Sequence, residues 1–390
     1  MRRSLLFIAA TGLLVASPGP AQARHRQPRH RHHHHHQPAA RHVGWSTHLG
    51  GQTFRIWGGR RTGIMPKGVV ASPRGGWVYV TNFGRTHGRN LTVYRSTPKN
   101  PLETLRTVDY PGDAIEGVTS PDGRTLYTTN YYGFLVQALD TRTWKIRWSQ
   151  KVGRFPKMLA LSADGRTLFV TSWESGTVSR LDAATGRIER TSRRIGRHPR
   201  GLSLHPDQKT LYVALTGGRY VVALDTRTLK ERYRIRTGRL PRHTAITRDG
   251  SRLYVTCIRR SLLQVIDTRR RRVIRTVFVD VGPRTVALSH DERFAYVAAY
   301  AGHALTVVDL RTYKTKTIPL NIVKGSGVAV SPDDRYIYVT GWCSKDLWVI
   351  ERLAPGVAPG PLGRPPHQRR RLIRDPKTAH RLDCPRDHRR

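Results

Sequence analysis

Residues 162–172 read Ser-Ala-Asp-Gly-Arg-Thr-Leu-Phe-Val-Thr-Ser, a turn signal followed by aliphatic, aromatic and β-branched side chains. Asp-Gly is typical of tight turns, and the residues that follow it favour β-strands over helices. Six related stretches lie elsewhere in the 390-residue chain, so that the seven copies begin at positions 72, 120, 162, 205, 247, 289 and 331. Successive copies are 48, 42, 43, 42, 42 and 42 residues apart. A period this regular indicates a repeat architecture.

Each copy belongs to a unit that reads as four strands. A short apolar strand precedes the turn, as in residues 159–161, and the aromatic strand follows it. A third strand ends in Asp-Thr, as in residues 221–226, and a fourth is rich in arginine. Seven units of four strands predict an all-β fold, a seven-bladed β-propeller of four-stranded antiparallel blades.

The two ends of the repeat region are unequal. The seventh unit supplies three strands, ending at residues 346–351, and then turns into a Pro-rich segment. Residues 53–57, Thr-Phe-Arg-Ile-Trp, read as a strand that precedes the first unit. We therefore expect this N-terminal strand to close the last blade as its outer strand.

The aromatic strands have a recurring motif, as in Leu253-Tyr254-Val255-Thr256. This motif and its register over residues 43–351 resemble the YVTN-type β-propeller repeat family. The resemblance implies the propeller fold and an extracytoplasmic location, since members of that family are mostly exported. The family is similar in fold to propeller lactonases and gluconolactonase-like hydrolases, but their catalytic motifs have no residue-by-residue match here. Quinoprotein and haem propellers share this repeat type, yet their cofactor ligands are not identifiable in this chain, so we predict no cofactor.

The N-terminus has the pattern of a secretory signal peptide. Residues 2 and 3 are arginine, residues 5–15 are apolar, and Ala21-Gln22-Ala23 offers a cleavage site. An apolar run of 11 residues is shorter than the ~20 that a bilayer span needs. We therefore expect residues 1–23 to be removed near Ala23. The mature chain, without a transmembrane segment, is then expected to be periplasmic or secreted.

Two low-complexity segments flank the repeats. Residues 24–42 contain only Arg, His, Gln, Pro and Ala, and residues 352–390 are rich in Pro and Arg. Both are predicted to be disordered, because neither has a periodic apolar pattern. The first segment has a run of imidazoles that could chelate a divalent transition metal, and the alternative is a polar spacer or a remnant of a purification tag. The candidate metal ligands are His32, His33, His34, His35 and His36.

The chain is strongly basic. Its 69 Lys and Arg residues oppose 26 Asp and Glu residues, which gives a formal net charge of +43, unlike an ordinary cytosolic enzyme. Aspartates recur in two turns of the units, as at Asp164 and Asp182, where we expect them to cap turns on one face of the propeller. The opposite face is then left short of negative charge.

That opposite face carries the loops that lead into the innermost strands. Five residues before each repeat start, the side chain is cationic in five of the seven units. In a propeller these positions surround the mouth of the central channel, where converging cations would attract anions. The alternative is a set of long cations on a generally basic surface. The candidate ligand-binding cations are Lys67, Lys157, Arg200, Arg242 and Arg284.

Aromatic residues follow the aromatic strands on the same face. Mixed with cations, they suit sugars, bases or other flat groups, although packing between blades would use the same residue types. Unit 1 also has an insertion at residues 85–90, and insertions on one face of a repeat protein often mark its binding side. The candidate binding aromatics are Tyr131, Trp173, Tyr300 and Trp342, with Phe83 at the matching position of unit 1.

These features favour an exported, non-enzymatic binding or scaffold protein whose basic face and tails bind a polyanion. Nucleic acid, acidic polysaccharide and an anionic envelope component such as lipid headgroups would all fit. The alternative is a lactonase-like hydrolase that acts on a small molecule at the central channel, with Glu116 and His243 as catalytic residues. G-x-S-x-G, H-E-x-x-H and P-loop motifs are absent from the sequence.

Three cysteines are too few for a disulfide framework. Cys343 and Cys384 are candidates for one disulfide in an oxidising compartment, and the alternative is that both stay reduced. Cys257 ends a strand and is interpreted as a small buried apolar residue.

Overall fold

The computed structural model describes residues 43–84 and 90–359. All regular secondary structure in these two segments is β-strand, arranged as seven antiparallel sheets. The sheets are the blades of a seven-bladed propeller, which confirms the fold predicted from the repeat period. None of the described elements is a helix long and apolar enough to cross a lipid bilayer.

The strands follow one another outward from the centre in each blade. Two strands, β1 (Ser46–Leu49) and β2 (Gln52–Arg61), precede the repeats. Blade 1 contains β3 (Pro66–Ala71), β4 (Trp77–Asn82), β5 (Leu91–Arg95) and β6 (Glu103–Val108). Blade 2 contains β7 (Ala114–Thr119), β8 (Thr125–Asn130), β9 (Leu135–Asp140) and β10 (Ile146–Lys151). Blade 3 contains β11 (Pro156–Leu161), β12 (Thr167–Ser172), β13 (Thr177–Asp182) and β14 (Ile188–Thr191).

The remaining blades repeat this order. Blade 4 contains β15 (Pro199–Leu204), β16 (Thr210–Leu215), β17 (Tyr220–Asp225) and β18 (Glu231–Arg236). Blade 5 contains β19 (Pro241–Ile246), β20 (Arg252–Cys257), β21 (Leu262–Asp267) and β22 (Arg272–Phe278). Blade 6 contains β23 (Pro283–Leu288), β24 (Phe294–Ala299), β25 (Ala304–Asp309) and β26 (Thr315–Pro319). Blade 7 contributes β27 (Gly325–Val330), β28 (Tyr336–Gly341) and β29 (Asp346–Arg352).

Blade 7 is closed by the N-terminal strand, which confirms the predicted join between the two ends of the repeats. β2 pairs antiparallel with β29, with Ile56 opposite Ile350, and Arg55 forms an ion pair with Glu351. The side chain of Phe54 is buried in the hydrophobic cluster that also contains Ile56 and Ile350. β1, which the sequence analysis did not predict, pairs with β2 and makes this sheet five-stranded.

Each blade is buried where it stacks on its neighbours. In blade 2 all six residues of β8 are buried, whereas β10 at the outer edge has only exposed and half-buried residues. The second strand of every blade buries one large aromatic side chain against the next blade, and each such burial contributes about 2 kcal/mol. These aromatics, all at most 4% exposed, are Tyr79, Tyr127, Phe169, Tyr212, Tyr254, Tyr296 and Tyr338.

Aspartates cap the turns at one end of the propeller, as predicted. Asp164 accepts hydrogen bonds from the Arg166 N–H, at 3.0 Å, and from a serine hydroxyl of its own turn. Asp182 accepts one from the Thr185 N–H, at 2.8 Å, in the second turn of the same blade. These hydrogen bonds hold the pKa of both carboxyls below the usual value. We call this end of the propeller the turn face and the opposite end the mouth face.

Candidate functional site

The five candidate cations share one position, the second residue of an innermost strand. In every blade the pairing of that strand with its neighbour is interrupted between its first and fourth residues, as between Pro156 and Leu159. In blade 3 the two residues released from the ladder are Lys157 and Met158. Such β-bulges re-aim side chains. Each candidate cation therefore stands at a place where the regular alternation of the strand is broken.

Threonines of the aromatic strands anchor these bulges. The Oγ1 atom of Thr171 accepts a hydrogen bond from the Met158 N–H, at 3.1 Å, and donates one to the carbonyl oxygen of Arg200 in the next blade, also at 3.1 Å. A threonine that the sequence marks only as a strand former thus fixes the backbone of a cation in the neighbouring blade. The same pair of contacts is made by Thr81, Thr129, Thr256 and Thr340.

The five cations converge. Lys67 is 5% exposed, Lys157 and Arg200 are each 7% exposed, and Arg242 and Arg284 are half-buried. Burial, followed by the positive charges of Lys157 and the three arginines, holds the pKa of Lys67 well below its usual value. Burial and the same three arginines also lower the pKa of Lys157. The structure therefore brings together the ring that the sequence predicts.

Aromatic side chains flank the two lysines. The Nζ atom of Lys67 lies 4.6 Å from the ring centroid of Trp342 and 5.5 Å from that of Phe83. The Nζ atom of Lys157 lies 3.9 Å from the ring centroid of Tyr131. Cation–π contacts of this kind contribute about 0.5–2 kcal/mol each and depend on the cation's being charged.

The other two candidate aromatics also contact cations. The ring centroid of Trp173 lies 5.6 Å from the Nζ atom of Lys157, and the guanidinium carbon of Arg284 lies 3.5 Å from the ring centroid of Tyr300. Every candidate aromatic therefore lies beside a candidate cation. The role of both sets in ligand binding stays a prediction at this point.

The aromatic residues occupy only part of the ring. Thr216 and Ile258 stand at the matching positions of blades 4 and 5, where their N–H groups bond to the residues that precede the inner strands, as that of Trp173 does in blade 3. Aromatics thus span blades 6, 7, 1, 2 and 3 and leave a gap at blades 4 and 5, which carry Arg200 and Arg242. We call Phe83, Tyr131, Trp173, Tyr300 and Trp342 the aromatic arc.

One carboxylate, that of Glu116 in blade 2, lies among the cations. It fits beside Gly68 of blade 1, where an added Cβ would stand 3.0 Å from its Oε2 atom. Burial raises the pKa of Glu116, although the charges of Arg200 and the two lysines oppose that rise. The carboxyl group therefore holds its proton more readily than an exposed glutamate does.

His243 follows Arg242 and takes the position in blade 5 that Glu116 has in blade 2. Burial, together with the charges of Arg200 and Arg242, lowers the pKa of His243 to about 3, so its imidazole is neutral at ordinary pH. Its Nδ1 atom lies 3.5 Å from the Val286 N–H nitrogen. No hydrogen bond joins Glu116 and His243 in the described part of the chain, and two blades separate theirs. The structure does not pair the two residues of the hydrolase alternative.

Sequence reasoning missed two stacked pairs at the mouth face. Tyr131 stacks on Phe155 with 4.7 Å between ring centroids, and Trp173 stacks on His198 with 4.0 Å between centroids. Phe155 and His198 directly precede the prolines that begin two inner strands, and their φ angles are 55° and 57°. Left-handed backbone is unusual for such residues and re-aims their side chains. The recurring residue before proline was the available signal in the sequence.

Several predictions concern residues outside the described segments. Within residues 43–84 and 90–359, no group of three or more His, Cys, Asp or Glu side chains is placed to hold a metal ion. Cys343 is disulfide-bonded, and its predicted partner Cys384 lies outside the described residues. Cys257 is a buried free thiol whose pKa burial raises to about 12, which confirms its interpretation as a buried residue. The described residues also leave out four further ranges that the sequence analysis discussed, which are 1–23, 24–42 with His32 to His36, 85–89 and 360–390.

Two clefts open on the turn face. One, of about 380 Å³ between blades 4 and 5, is lined by residues that include His205 and Tyr233. The other, of about 540 Å³ between blades 1 and 2, is lined by residues that include Trp77 and Trp144. Neither cleft is lined by any of the five cations, so the convergent charge of the mouth face is a separate feature.

Comparisons with known proteins agree with the fold. Residues 89–192 match the protein-family model described as outer membrane protein assembly factor BamB. No curated protein matches the chain. Among solved structures, the chain is similar to hydrazine synthase of Kuenenia stuttgartiensis, with a TM-score of 0.65 and 20% identity over 75% of this chain and 97% of that chain. At this identity the similarity shows the fold alone, and the narrower YVTN-type resemblance stays a prediction. The sequence repeats, the seven blades and these similarities together make the chain a β-propeller repeat protein.

Proposed function

We propose that the protein is a binding propeller whose mouth face holds the anionic groups of a polyanion. The observation that carries this proposal is the convergence of five cations, three of them at most 7% exposed, around the carboxylate of Glu116. An ionised Glu116 carries one negative charge, whereas the three arginines alone carry three positive charges. The folded ring therefore favours the binding of further negative charge.

The physical chemistry of the ring supports a ligand of high negative charge. Arginine keeps its proton at any pH that proteins meet, so Arg200, Arg242 and Arg284 remain charged however closely they approach. Their repulsion is relieved when the lysines lose protons or when an anion binds between them. Because water is largely excluded from a buried mouth, an anion is attracted more strongly there than at an exposed basic surface.

The aromatic arc offers the polyanion a second kind of contact. Ring faces that lie 3.5–5.6 Å from cationic groups offer stacking surfaces for a nucleobase or a sugar ring beside a site for its phosphate or carboxylate. Nucleic acid, acidic polysaccharide and an anionic envelope component remain the candidate polyanions. The basic composition of residues 24–42 and 352–390 supports additional contacts with such a ligand.

We also propose that the protein works outside the cytoplasm. The signal-like pattern of residues 1–23 supports this location. The disulfide at Cys343 supports it as well, because disulfides persist mainly in oxidising compartments. The similarity of residues 89–192 to an outer membrane protein assembly factor is a third argument for an envelope protein.

The test is binding of the full chain to heparin and to single-stranded DNA across a salt series. The variant R200Q/R242Q/R284Q removes three charges from the mouth. Each lost contact with the polyanion reduces the slope of log affinity against log salt by roughly 0.7–0.9. We expect the slope to fall by about 2 and the affinity at low salt to fall at least tenfold.

The matched control is R269Q/R270Q/R272Q, which removes the same charge from exposed residues of blade 5. We expect that variant to change the slope by less than about 1, because exposed charges are screened and make weaker contacts. Equal losses in the two triple variants would show that net charge, rather than the mouth, binds the polyanion.

A further inference from the structure

The side-chain amine of Lys67 is held in an unusual environment. The residue is 5% exposed, and its Nζ atom lies beside the rings of Trp342 and Phe83, at 4.6 Å and 5.5 Å from their centroids. Among the described residues the amine forms no ion pair and no hydrogen bond. The other cations of the ring act on it from blades 3, 4, 5 and 6.

Only the lysines can reduce the positive charge of the ring by losing a proton, because the arginines cannot release one. The largest effects on the pKa of Lys67 are burial and four positive charges, all of which lower it. A lowered pKa increases the fraction of the amine that is neutral at a given pH, and a neutral amine is a nucleophile.

We propose that Lys67 condenses with a small anionic aldehyde or ketone to form an imine, while Arg200, Arg242 and Arg284 hold the carboxylate or phosphate of that compound. This inference rests on the proposed function, because the same three arginines bind the anion. It goes beyond that function by assigning a reactive residue and a class of carbonyl ligand to the mouth.

The reaction needs no oxidant or reductant. The lone pair of Nζ forms a bond to the carbonyl carbon, and a proton passes from the nitrogen to the carbonyl oxygen, which gives a carbinolamine. Glu116, whose carboxyl is half-buried beside Gly68, donates its proton to that hydroxyl group. The C–O bond then breaks and water leaves. The nitrogen keeps one hydrogen as an iminium ion, and the Glu116 carboxylate balances its charge.

The surroundings of Lys67 favour a flat carbonyl compound. Trp342 and Phe83 lie with 5.4 Å between their ring centroids, and both rings are on the same side of the amine. A planar aldehyde or ketone that reaches Nζ would pass along these rings, and its conjugation would stabilise the imine. A neutral carbonyl compound lacks the group that the arginines hold, so the site should discriminate against it.

The test uses pyridoxal 5′-phosphate as an anionic aldehyde and pyridoxal as the same aldehyde without its phosphate. Each is incubated with the full chain at pH 7, reduced with sodium cyanoborohydride, and located by peptide mass mapping. Lys145, which is exposed on the turn face, is the internal reference. With the phosphate probe we expect labelling of Lys67 at least tenfold above that of Lys145, and with pyridoxal we expect this preference to disappear.

Variants sharpen the test. K67M removes the amine and cannot form an imine, so the label at residue 67 should vanish while the cooperative unfolding transition is retained. K145R is the matched control and should leave labelling of Lys67 unchanged. E116Q should slow labelling of Lys67 at least tenfold, as expected when a general acid is removed, and should flatten its pH profile.

The experiment is repeated with glyoxylate, a smaller anionic aldehyde. Glyoxylate has no ring, so the site cannot exclude it by size. The proposal is overturned if neither anionic probe prefers Lys67 over Lys145, or if the phosphate makes no difference. Polyanion binding by the wild type, measured separately, distinguishes the two ideas. Normal polyanion binding without labelling of Lys67 removes only the imine, whereas unchanged polyanion binding by R200Q/R242Q/R284Q removes the proposed function.

Discussion

On the turn face, Asp225 accepts hydrogen bonds from the N–H groups of Arg227 and Thr228 and forms an ion pair with Arg232. On the mouth face, Lys157 is 7% exposed, and the charges that act on it are mostly positive. The same repeat therefore pairs its charges with local partners at one end and gathers like charges at the other. The difference indicates that the turn-face residues serve the fold, and it is consistent with the binding role that we propose for the mouth face.

The largest expected effect comes from filling the close contact between blades at the mouth. A Cβ added to Gly68 would stand 2.7 Å from Thr81 Oγ1 and 2.8 Å from the carbonyl oxygen of Ile115. We expect Gly68→Ala to lower the free energy of unfolding by about 3 kcal/mol in urea denaturation, because backbone must move. Gly75→Ala is the turn-face counterpart, with φ of 73° and no atom within 4 Å of the new Cβ. Gly75→Ala should lower the free energy of unfolding by about 1 kcal/mol. Equal losses in the two variants would contradict the difference between the two faces.

A smaller effect is expected from the threonine that anchors a cation. Thr171→Val keeps the side-chain shape but leaves the Met158 N–H and the Arg200 carbonyl without this partner. We expect a loss of about 2 kcal/mol in the free energy of unfolding, together with weaker binding of heparin.

Its control is Thr185→Val on the turn face, where the hydroxyl of the exposed Thr185 donates to Asp182. We expect a loss below about 0.5 kcal/mol there, because water replaces the hydrogen bond. If Thr171→Val weakened neither stability nor heparin binding, the anchoring role would be wrong.

The pH dependence of stability separates the two faces. The folded state depresses the pKa of Lys67, so protonation favours the unfolded chain, and stability rises with pH until the unfolded amine also loses its proton near pH 10.5. Lys67→Met removes this penalty. We expect it to raise the free energy of unfolding by about 1 kcal/mol at pH 7 and by nothing near pH 10.5.

Urea denaturation between pH 6 and 10 measures this difference. The groups that face Lys67 include Lys157, three arginines and Glu116. The arginines supply a constant field, whereas the charges of Lys157 and Glu116 change with pH. A Lys67→Met variant that is less stable than the wild type at pH 7 would contradict the prediction.

The smallest effect is expected on the turn face. Asp249 accepts hydrogen bonds from the Thr247 hydroxyl and the Ser251 N–H, at 2.6 Å and 2.9 Å, and these lower its pKa to about 2. Its contribution to stability is therefore present above the unfolded pKa of about 4 and is lost as pH falls through about 2. Asp249→Asn should cost less than about 1 kcal/mol at pH 7, and this difference should disappear near pH 2. A difference that did not change with pH would show that the charge of Asp249 has no part in the turn.

The repeat period was enough to predict the fold, because each copy repeats both the turn aspartate and the aromatic residue that packs against the next blade. The positions of the five cations followed from the same register. β1 was missed, since its residues Ser46–Leu49 have no clear apolar alternation, although Gly50 and Gly51 after it were a hairpin signal. The missed strand lies at the edge of blade 7, outside the repeat.

The finer geometry of the mouth could not be predicted from spacing. The backbone at Arg200 depends on a hydrogen bond donated by Thr171 of the preceding blade, and the place of Glu116 depends on the missing side chain of Gly68 in another blade. These contacts join residues from different repeats, and no local pattern encodes them. The aromatic residues of blades 6, 7, 1, 2 and 3 could be identified in the sequence. Their arrangement as a continuous arc followed only from the closed ring of blades.

Closure of the ring also sets an order of events during folding. The Arg55–Glu351 pair joins residues 296 positions apart, so β2 must wait for the last repeat to be made. At typical rates of synthesis this delay is roughly 15–60 s, during which one edge of β2 stays unpaired. The β1–β2 hairpin can form at once and protect the other edge. Since Lys67 belongs to the first blade and its facing cations to later ones, the positive mouth is assembled only as the ring closes. Affinity for anions should therefore be the last property that a refolding chain acquires, and its appearance would time the completion of the propeller.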